Sequence, residues 1–352
     1  MSKNKQAKPQ KTGRYTKEDT KDSAIVSLND LREAQNRLRG VAVRTQLLPA
    51  PFLQDDGGRK LYLKLENQQP IGAFKLRGAY NKIASLSVEE LTRGVISYSS
   101  GNHAQGVAYA ARELGVKAVI VMPNNAPAIK REATAALGAE IIEVGPGSAE
   151  RQIKAEEVAA QQGYVIIPPY NDEKIIAGQG TMGLEILEDL PDVECVLVPV
   201  GGGGMISGVA TAIKLSNPNV RVIGVEPELA ADAQATLRSG KIGQFSAEQV
   251  SRTIADGLRT QSIGPINFEH MRRYVDDIVT VGEDEIREAL RKLAADPKTV
   301  AEPSGAVAVA AFLFHRNELP ETEINVAVIS GGNIDPQMLR EVQNQADPAI
   351  HN

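Results

Sequence analysis

The 352-residue chain has little of what marks several common kinds of protein: one cysteine, Cys195, four histidines and no tryptophan. A lone cysteine excludes an internal disulfide framework and fits a reducing cytosol, so the chain reads as cytoplasmic. Cys195 lies in the mostly apolar run Val193–Val200 and reads as inert core. One cysteine with four histidines leaves no zinc-type cluster. Excess positive charge is missing too: the formal net charge is −5, which argues against a nucleic-acid partner. No apolar run reaches the roughly 18–20 residues a membrane span needs, so no membrane partner is expected. Residues 1–25 lack the apolar stretch of a secretory signal. Their lysines, at positions 3, 5, 8, 11, 17 and 21, sit in a loose Lys/Gln/Thr/Asp mixture that reads as a disordered tail.

What is there suits a soluble globular chain, with 42% hydrophobic and 24% charged residues. Single cores stop growing near about 250–300 residues, so two units are expected. Apolar strand candidates run at 61–65, 95–99, 118–122, 140–144, 165–167, 195–200, 222–226, 277–281 and 325–330. Between them the spacing predicts helices over 76–86, 104–114, 128–137, 149–161, 180–190, 206–215, 284–296 and 306–314. Such alternation reads as α/β with mainly parallel sheets. Runs such as Val119-Ile120-Val121 are apolar throughout, as in strands covered on both faces. The predicted division is a disordered tail over 1–25, a large domain over 26–93 and 172–347, and a small inserted domain over 94–171. Neither a Gly/Ser linker nor a repeat marks these boundaries.

Four local patterns carry chemistry. In Pro70-Ile71-Gly72-Ala73-Phe74-Lys75-Leu76-Arg77-Gly78, Lys75 stands near a helix start, where backbone N–H groups disfavour a cation. A lysine with a lowered pKa is suited to a Schiff base, although a solvated lysine is the commoner occupant of such a position. Pro199-Val200-Gly201-Gly202-Gly203-Gly204-Met205 follows a buried strand and opens a helix. Bare N–H groups there suit a phosphate dianion, and the spacing matches neither a Walker loop nor the Gly-x-Gly-x-x-Gly pattern. Ser99-Ser100-Gly101-Asn102-His103 offers hydroxyls and an amide at another helix start, as a carboxylate site does. Simple N-capping needs only one such residue. Ser330, in Ser330-Gly331-Gly332-Asn333, stands at the carboxyl tip of a predicted strand, where open parallel sheets bind ligands.

Two acidic positions are less decisive. Glu226 to Asp232 gathers oxygen ligands of the kind that hold Mg²⁺ or Ca²⁺, yet surface acids at a helix start are commoner. Glu302, before a helix, reads equally well as a dipole partner.

Together Lys75, the Ser-Gly-Asn-His loop, the four-glycine loop and the Ser-Gly-Gly-Asn strand end resemble the pyridoxal-phosphate enzymes of the tryptophan-synthase-β fold. Within that group the chain is similar to the serine/threonine dehydratase and serine racemase family, from about Ser27 to Asn333. Ala177-Gly178-Gln179-Gly180-Thr181 and Thr253-Ile254-Ala255-Asp256-Gly257 match as well. The resemblance implies two open twisted, mainly parallel sheets flanked by helices, a bound pyridoxal 5'-phosphate and a homodimer. It implies that Lys75 carries the cofactor as a Schiff base and acts as α-proton base, with Phe74 against the pyridine ring. Asn102 would meet the cofactor's phenolic oxygen, Gly201, Gly202, Gly203, Gly204 and Met205 its phosphate, Ser330 its ring nitrogen, and Gly257 its ring through the backbone. Ser99, Ser100, Asn102 and His103 would receive the carboxylate of an amino-acid substrate.

The activity so implied is loss of water from a 3-hydroxy amino acid, L-threonine or L-serine, giving a 2-oxo acid and ammonia. The alternatives are a serine racemase with side dehydratase activity, in which Ser100 serves the face opposite Lys75, and a dehydratase of 3-hydroxyaspartate or an aryl-serine. The acidic cluster matches the family's divalent-cation site, with Glu226, the Ala230 carbonyl and Asp232 as ligands of Mg²⁺ or Ca²⁺. Arg151 corresponds to a position that faces the active site in related racemases. Ala73 stands where a serine usually precedes Phe-Lys, and Pro168-Pro169-Tyr170 replaces a more usual His-Pro-Phe. Both departures bear on substrate size.

Overall fold

The computed structural model describes residues 25–53, 58–126, 128–145 and 148–344. The expected tail therefore lies outside the described residues except for Ile25. So does the segment 345–347 of the expected large domain.

Among the described residues ten strands form two sheets. The larger has the order β1 (Leu47–Pro49), β2 (Lys60–Leu65), β10 (Ile324–Ile329), β7 (Cys195–Pro199), β8 (Arg221–Pro227) and β9 (Asp277–Val281). The smaller runs β5 (Glu140–Val144), β4 (Ala118–Pro123), β3 (Val95–Tyr98), β6 (Val165–Ile166). Every pairing is parallel except β1 with β2, an edge hairpin too short to show in the apolar pattern. All residues of β4 and β7 are buried, because helices cover both faces of each sheet.

Those helices are α1 (Leu28–Arg37), α2 (Lys75–Ala84), α3 (Val88–Arg93), α4 (Asn102–Leu114), α5 (Ala128–Ala136), α6 (Ser148–Gln162) and α7 (Glu173–Asp189). There follow α8 (Gly204–Ser216), α9 (Asp232–Ser239), α10 (Ala247–Val250), α11 (Pro265–Tyr274), α12 (Glu283–Leu293), α13 (Pro303–Phe314) and α14 (Pro336–Asn344). Helix α13, apolar on every side, is buried from Pro303 to Phe312 against β10, β7 and β8. Helix α8 packs on the opposite face of the same sheet.

The expected helix over 180–190 begins seven residues earlier, at Glu173, capped by Asp172, whose Oδ1 accepts from the Lys174 and Ile175 N–H groups. Its Gly178 and Gly180 cost helical propensity, but here they are needed. A Cβ on Gly178 would stand 2.5 Å from the Arg77 carbonyl oxygen of α2, and one on Gly180 would stand 2.7 Å from the Gly208 carbonyl oxygen of α8. Helix α7 thus touches both neighbours backbone to backbone.

Candidate active site

The sequence motifs converge at the carboxyl ends of five strands. Ser99 follows β3, Pro168–Tyr170 follow β6, Gly201 follows β7, Glu226 is the next-to-last residue of β8 and Ser330 follows β10. This is the side of a parallel sheet on which ligands bind.

Lys75 opens α2, directly after the segment that β10 holds in place. Phe74 N–H donates to the Ser330 carbonyl (3.0 Å), and Gly332 N–H donates to that of Gly72 (2.9 Å). The half-buried lysine donates from Nζ to the Pro169 carbonyl (2.8 Å), with the Phe74 ring centroid 5.2 Å from Nζ. Burial among protein atoms pulls its pKa down to about 8. The direction is the one expected from the sequence. The cause is desolvation rather than the helix start.

The four-glycine loop leads into α8, with Gly203 at φ +91° as its N-cap. The Tyr170 ring lies across this loop: a Cβ on Gly202 would fall 2.2 Å from the ring. On the far side, a Cβ on Gly203 would meet Asn267 at 2.9 Å and Met271 Sδ at 3.0 Å. No larger residue fits, so the backbone amides and the free first N–H groups of α8 form a bare cradle. Gly257 adjoins it, since a Cβ on Gly201 would lie 3.4 Å from the Gly257 carbonyl oxygen. Ser304 Oγ accepts from Gly257 N–H (2.8 Å), and Ser330 Oγ donates to the Ser304 carbonyl (3.4 Å). Cradle, lysine and strand-end hydroxyl are what pyridoxal phosphate requires, and the residues present fit it.

At the start of α4, the Ser99 hydroxyl accepts from Gly101 N–H (3.3 Å). Asn102 is fixed at both ends: Oδ1 accepts from Asn333 Nδ2 (2.8 Å), and Nδ2 donates to Glu302 Oε1 (2.7 Å). Glu302 stands at the N-cap of α13, as its position suggested, but makes no capping bond to that helix and reaches Asn102 instead. His103 is buried, with Nε2 at 3.1 Å from the Ile167 carbonyl. Burial, reinforced by the charge of Lys75, drives its pKa down to about 3, so the imidazole stays neutral.

The acidic cluster closes the far end of β8. Both Glu226 oxygens accept from α9, from Ala233 N–H (3.0 Å) and Gln234 N–H (2.8 Å). Asp232 is fully buried, and neither of its oxygens makes a well-formed hydrogen bond, although the Thr260 hydroxyl and the Ile263 N–H lie close enough to hold its pKa down in part. Burial pushes Glu226 well up, aided by the Asp232 charge, and lifts Asp232 to about 7. A buried Asp232 carboxyl without a well-formed bond, beside the buried Glu226, has the donor chemistry a divalent cation takes. Among the described residues no group of three or more His, Cys, Asp and Glu is gathered. The rest of a cation's shell would be carbonyl or water oxygen, as the buried Ala230 backbone offers. Cys195 is buried in β7, its thiol pushed up to about 12 by burial, so it is inert.

Sequence reading gave Asn333 and Ser304 no role, and it tied Pro169 and Tyr170 to substrate size rather than to the lysine and the glycine loop. Asn333 stood inside a motif, but its pairing with Asn102 spans 231 residues.

The fold and this geometry define a class: the chain belongs to the pyridoxal-phosphate dependent enzymes, whose family model matches residues 38–331. It is 48% identical over 322 residues to the L-threonine ammonia-lyase of Thermotoga maritima, covering 91% of this chain and 79% of that protein. It is 40% identical over 311 residues to the L-threo-3-hydroxyaspartate ammonia-lyase of Saccharomyces cerevisiae, covering 88% and 94% respectively. The crystal structure of serine racemase from Dictyostelium discoideum superposes with a TM-score of 0.83 at 35% identity, covering 89% of this chain and 100% of that one. Among the described residues no helix is long and apolar enough to cross a membrane.

Proposed function

We propose that the chain is an ammonia-lyase that removes water from L-threonine or L-serine, releasing a 2-oxo acid and ammonia. The observation that carries this reading is the Lys75 amine, held by the Pro169 carbonyl between the glycine cradle and the start of α4. Lys75 would hold the cofactor's aldehyde carbon, with Gly201 to Gly204 and Met205 holding the phosphate through their amides. Phe74 would lie against the ring, Asn102 would donate to its phenolic oxygen, and Gly257 would meet it through the backbone. Bound there, pyridoxal phosphate supplies the electron sink that acidifies the α-C–H of an amino acid.

The chain's own residues do the rest. Ser99, Ser100 and the free N–H groups of α4, those of Asn102 and His103 among them, bind the substrate carboxylate. This orients the α-proton toward Lys75 Nζ, whose lowered pKa leaves a neutral amine available near neutral pH. Ser330 offers the ring nitrogen a neutral hydroxyl, so no positive charge is held there. That favours prompt departure of the β-hydroxyl over reprotonation at the α-carbon. Glu226, the Ala230 carbonyl and Asp232 would hold Mg²⁺ or Ca²⁺ as a structural ion between β8 and α9.

The racemase reading has its own support in Ser100, on the carboxylate loop, and in the likeness to the Dictyostelium racemase. The yeast relative supports 3-hydroxyaspartate as a substrate. We take residues 94–171 as the small domain, the assembly as a homodimer and the cytoplasm as the compartment. Purified enzyme assayed on L-threonine, L-serine, D-serine and 3-hydroxyaspartate is expected to release 2-oxobutanoate from threonine fastest. Interconversion of the serine enantiomers without ammonia release would establish the racemase instead. Lys75→Ala is expected to lose the cofactor's visible band and at least about 10³-fold of activity.

A further inference from the structure

Glu302 is the one carboxyl group among the described residues that reaches the cofactor-binding side chains, and nothing in the proposed chemistry uses it. It is 5% exposed and accepts from Asn102 Nδ2 at 2.7 Å. Its surroundings are described by a single point: a Cβ built on Gly331 would lie 2.5 Å from Glu302 Oε1, 3.2 Å from Asn102 Nδ2 and 3.2 Å from the Ala73 methyl. Ala73 and Gly331 are paired across a β-bridge. The carboxyl thus faces an amide on one side and, on another, a methyl group where a serine hydroxyl would have given it a second partner.

We infer that Glu302 is a positioning residue for the cofactor ring, acting through Asn102. The inference rests on the reading that Asn102 meets the phenolic oxygen. Asn102 Oδ1 is taken by Asn333 and one Nδ2 hydrogen by Glu302, which leaves one Nδ2 hydrogen, in a fixed direction, for the ring. A carboxylate here would set an anion behind the amide that serves the phenolic oxygen, so the ring is held best while Glu302 keeps its proton. Burial raises its pKa to about 8, the charge of Asp256 adds to this, and the Asn102 bond and Lys130 oppose it. Asp256 precedes Gly257 and is paired with Lys130 of α5 (2.6 Å). Lys75 is the cation of the cleft, and its own titration is common to the wild type and to both variants tested below. Cofactor binding should therefore weaken as pH rises past the titration of Glu302, toward the limit of about tenfold per pH unit that one linked proton sets.

The test compares wild type, Glu302→Gln and Ala73→Ser, measuring the pyridoxal-phosphate dissociation constant and the visible band of the holoenzyme from pH 6 to 10. Glu302→Gln keeps the bond to Asn102 and cannot ionise, so its alkaline slope should be shallower than wild type by one proton. Ala73→Ser adds a hydroxyl beside the carboxylate and should move the alkaline limb to lower pH. Equal slopes in wild type and Glu302→Gln overturn the inference. If Glu302→Gln does not fold, an unmoved limb in Ala73→Ser overturns it alone. A wild type that binds no cofactor sinks the proposed function instead, a result distinguishable from either.

Discussion

Around Arg77, two cations and two carboxylates are buried together; at the end of β8, two carboxylates are buried with no ion pair to Lys or Arg among the described residues. In the first cluster, Arg77 bonds Glu66 (2.8 Å) and Glu185 (2.7 Å), and Lys64 bonds Glu185 (2.6 Å). Thr45 Oγ1 donates to Glu66 Oε1 (2.7 Å), and Lys64 donates to the Thr45 carbonyl (2.9 Å). Burial alone would raise Glu66, but the Arg77 charge prevails and lowers it. In the second cluster nothing opposes burial strongly, and both acids are raised. The first needs no visitor, because its charges cancel within the chain, and it ties α2 to β2 and α7. The second is incomplete as built and becomes balanced only by a proton or a cation. Buried charge marks a ligand site when its sum is wrong, not when its density is high.

The largest effect should come from unbalancing the first cluster. Arg77→Met leaves two buried carboxylates facing Lys64 alone, and urea unfolding should show a loss of about 3–5 kcal/mol. A loss below about 1 kcal/mol would erase the distinction between the clusters. Balancing the second should act in the opposite direction. Mg²⁺ or Ca²⁺ at a hundred times its dissociation constant should stabilise the fold by about 2.7 kcal/mol. EDTA should reverse this, and Asp232→Asn should lose the response. Asp232 has a raised folded pKa, so metal-free stability is greatest below its ordinary value of 3.8 and falls as pH rises through about 7. The cation's effect on melting temperature should accordingly be larger at pH 8 than at pH 5.

The smallest effect belongs to a surface control, His315, set between Glu285 (2.8 Å) and Glu318 (2.7 Å). Burial opposes its charge, but the two carboxylates prevail and raise its pKa. Its contribution should be complete below pH about 6.5 and fade as pH rises through the raised value. Being partly exposed it is worth at most about 1 kcal/mol, so His315→Gln should change melting temperature only slightly, and only on the acid side.

The sheets were legible because apolar runs that must be covered on both faces say so residue by residue. The strands Glu140–Val144 and Asp277–Val281 have the bounds their patterns predict. Helix α7 was half legible: its glycines look like a break until the contact with α2 and α8 shows why side chains are excluded. The edge strand Leu47–Pro49 has three residues and a proline, too little to set a period. Within the site, the lysine and glycine loops were legible because their chemistry is local in sequence. The Glu302 pairing was not, since it joins residues 200 apart and neither has a pattern that points to the other. The acid pair was visible, but sequence alone could not separate a helix cap from a cation site. The structure finds Glu226 capping α9 and Asp232 left without a well-formed hydrogen bond.

Helix α7 touches the lysine-bearing helix on one side and the cradle-bearing helix on the other through bare backbone. Contacts without side chains have no rotamers to rearrange, so they behave as a caliper rather than a cushion. The gap between the Lys75 helix and the glycine cradle is thereby set from outside the cleft, to the tolerance of van der Waals contact. Variation in the surrounding loops can reshape what enters the site. A methyl group added at Gly178 would reset the gauge itself, at a position that no substrate ever reaches.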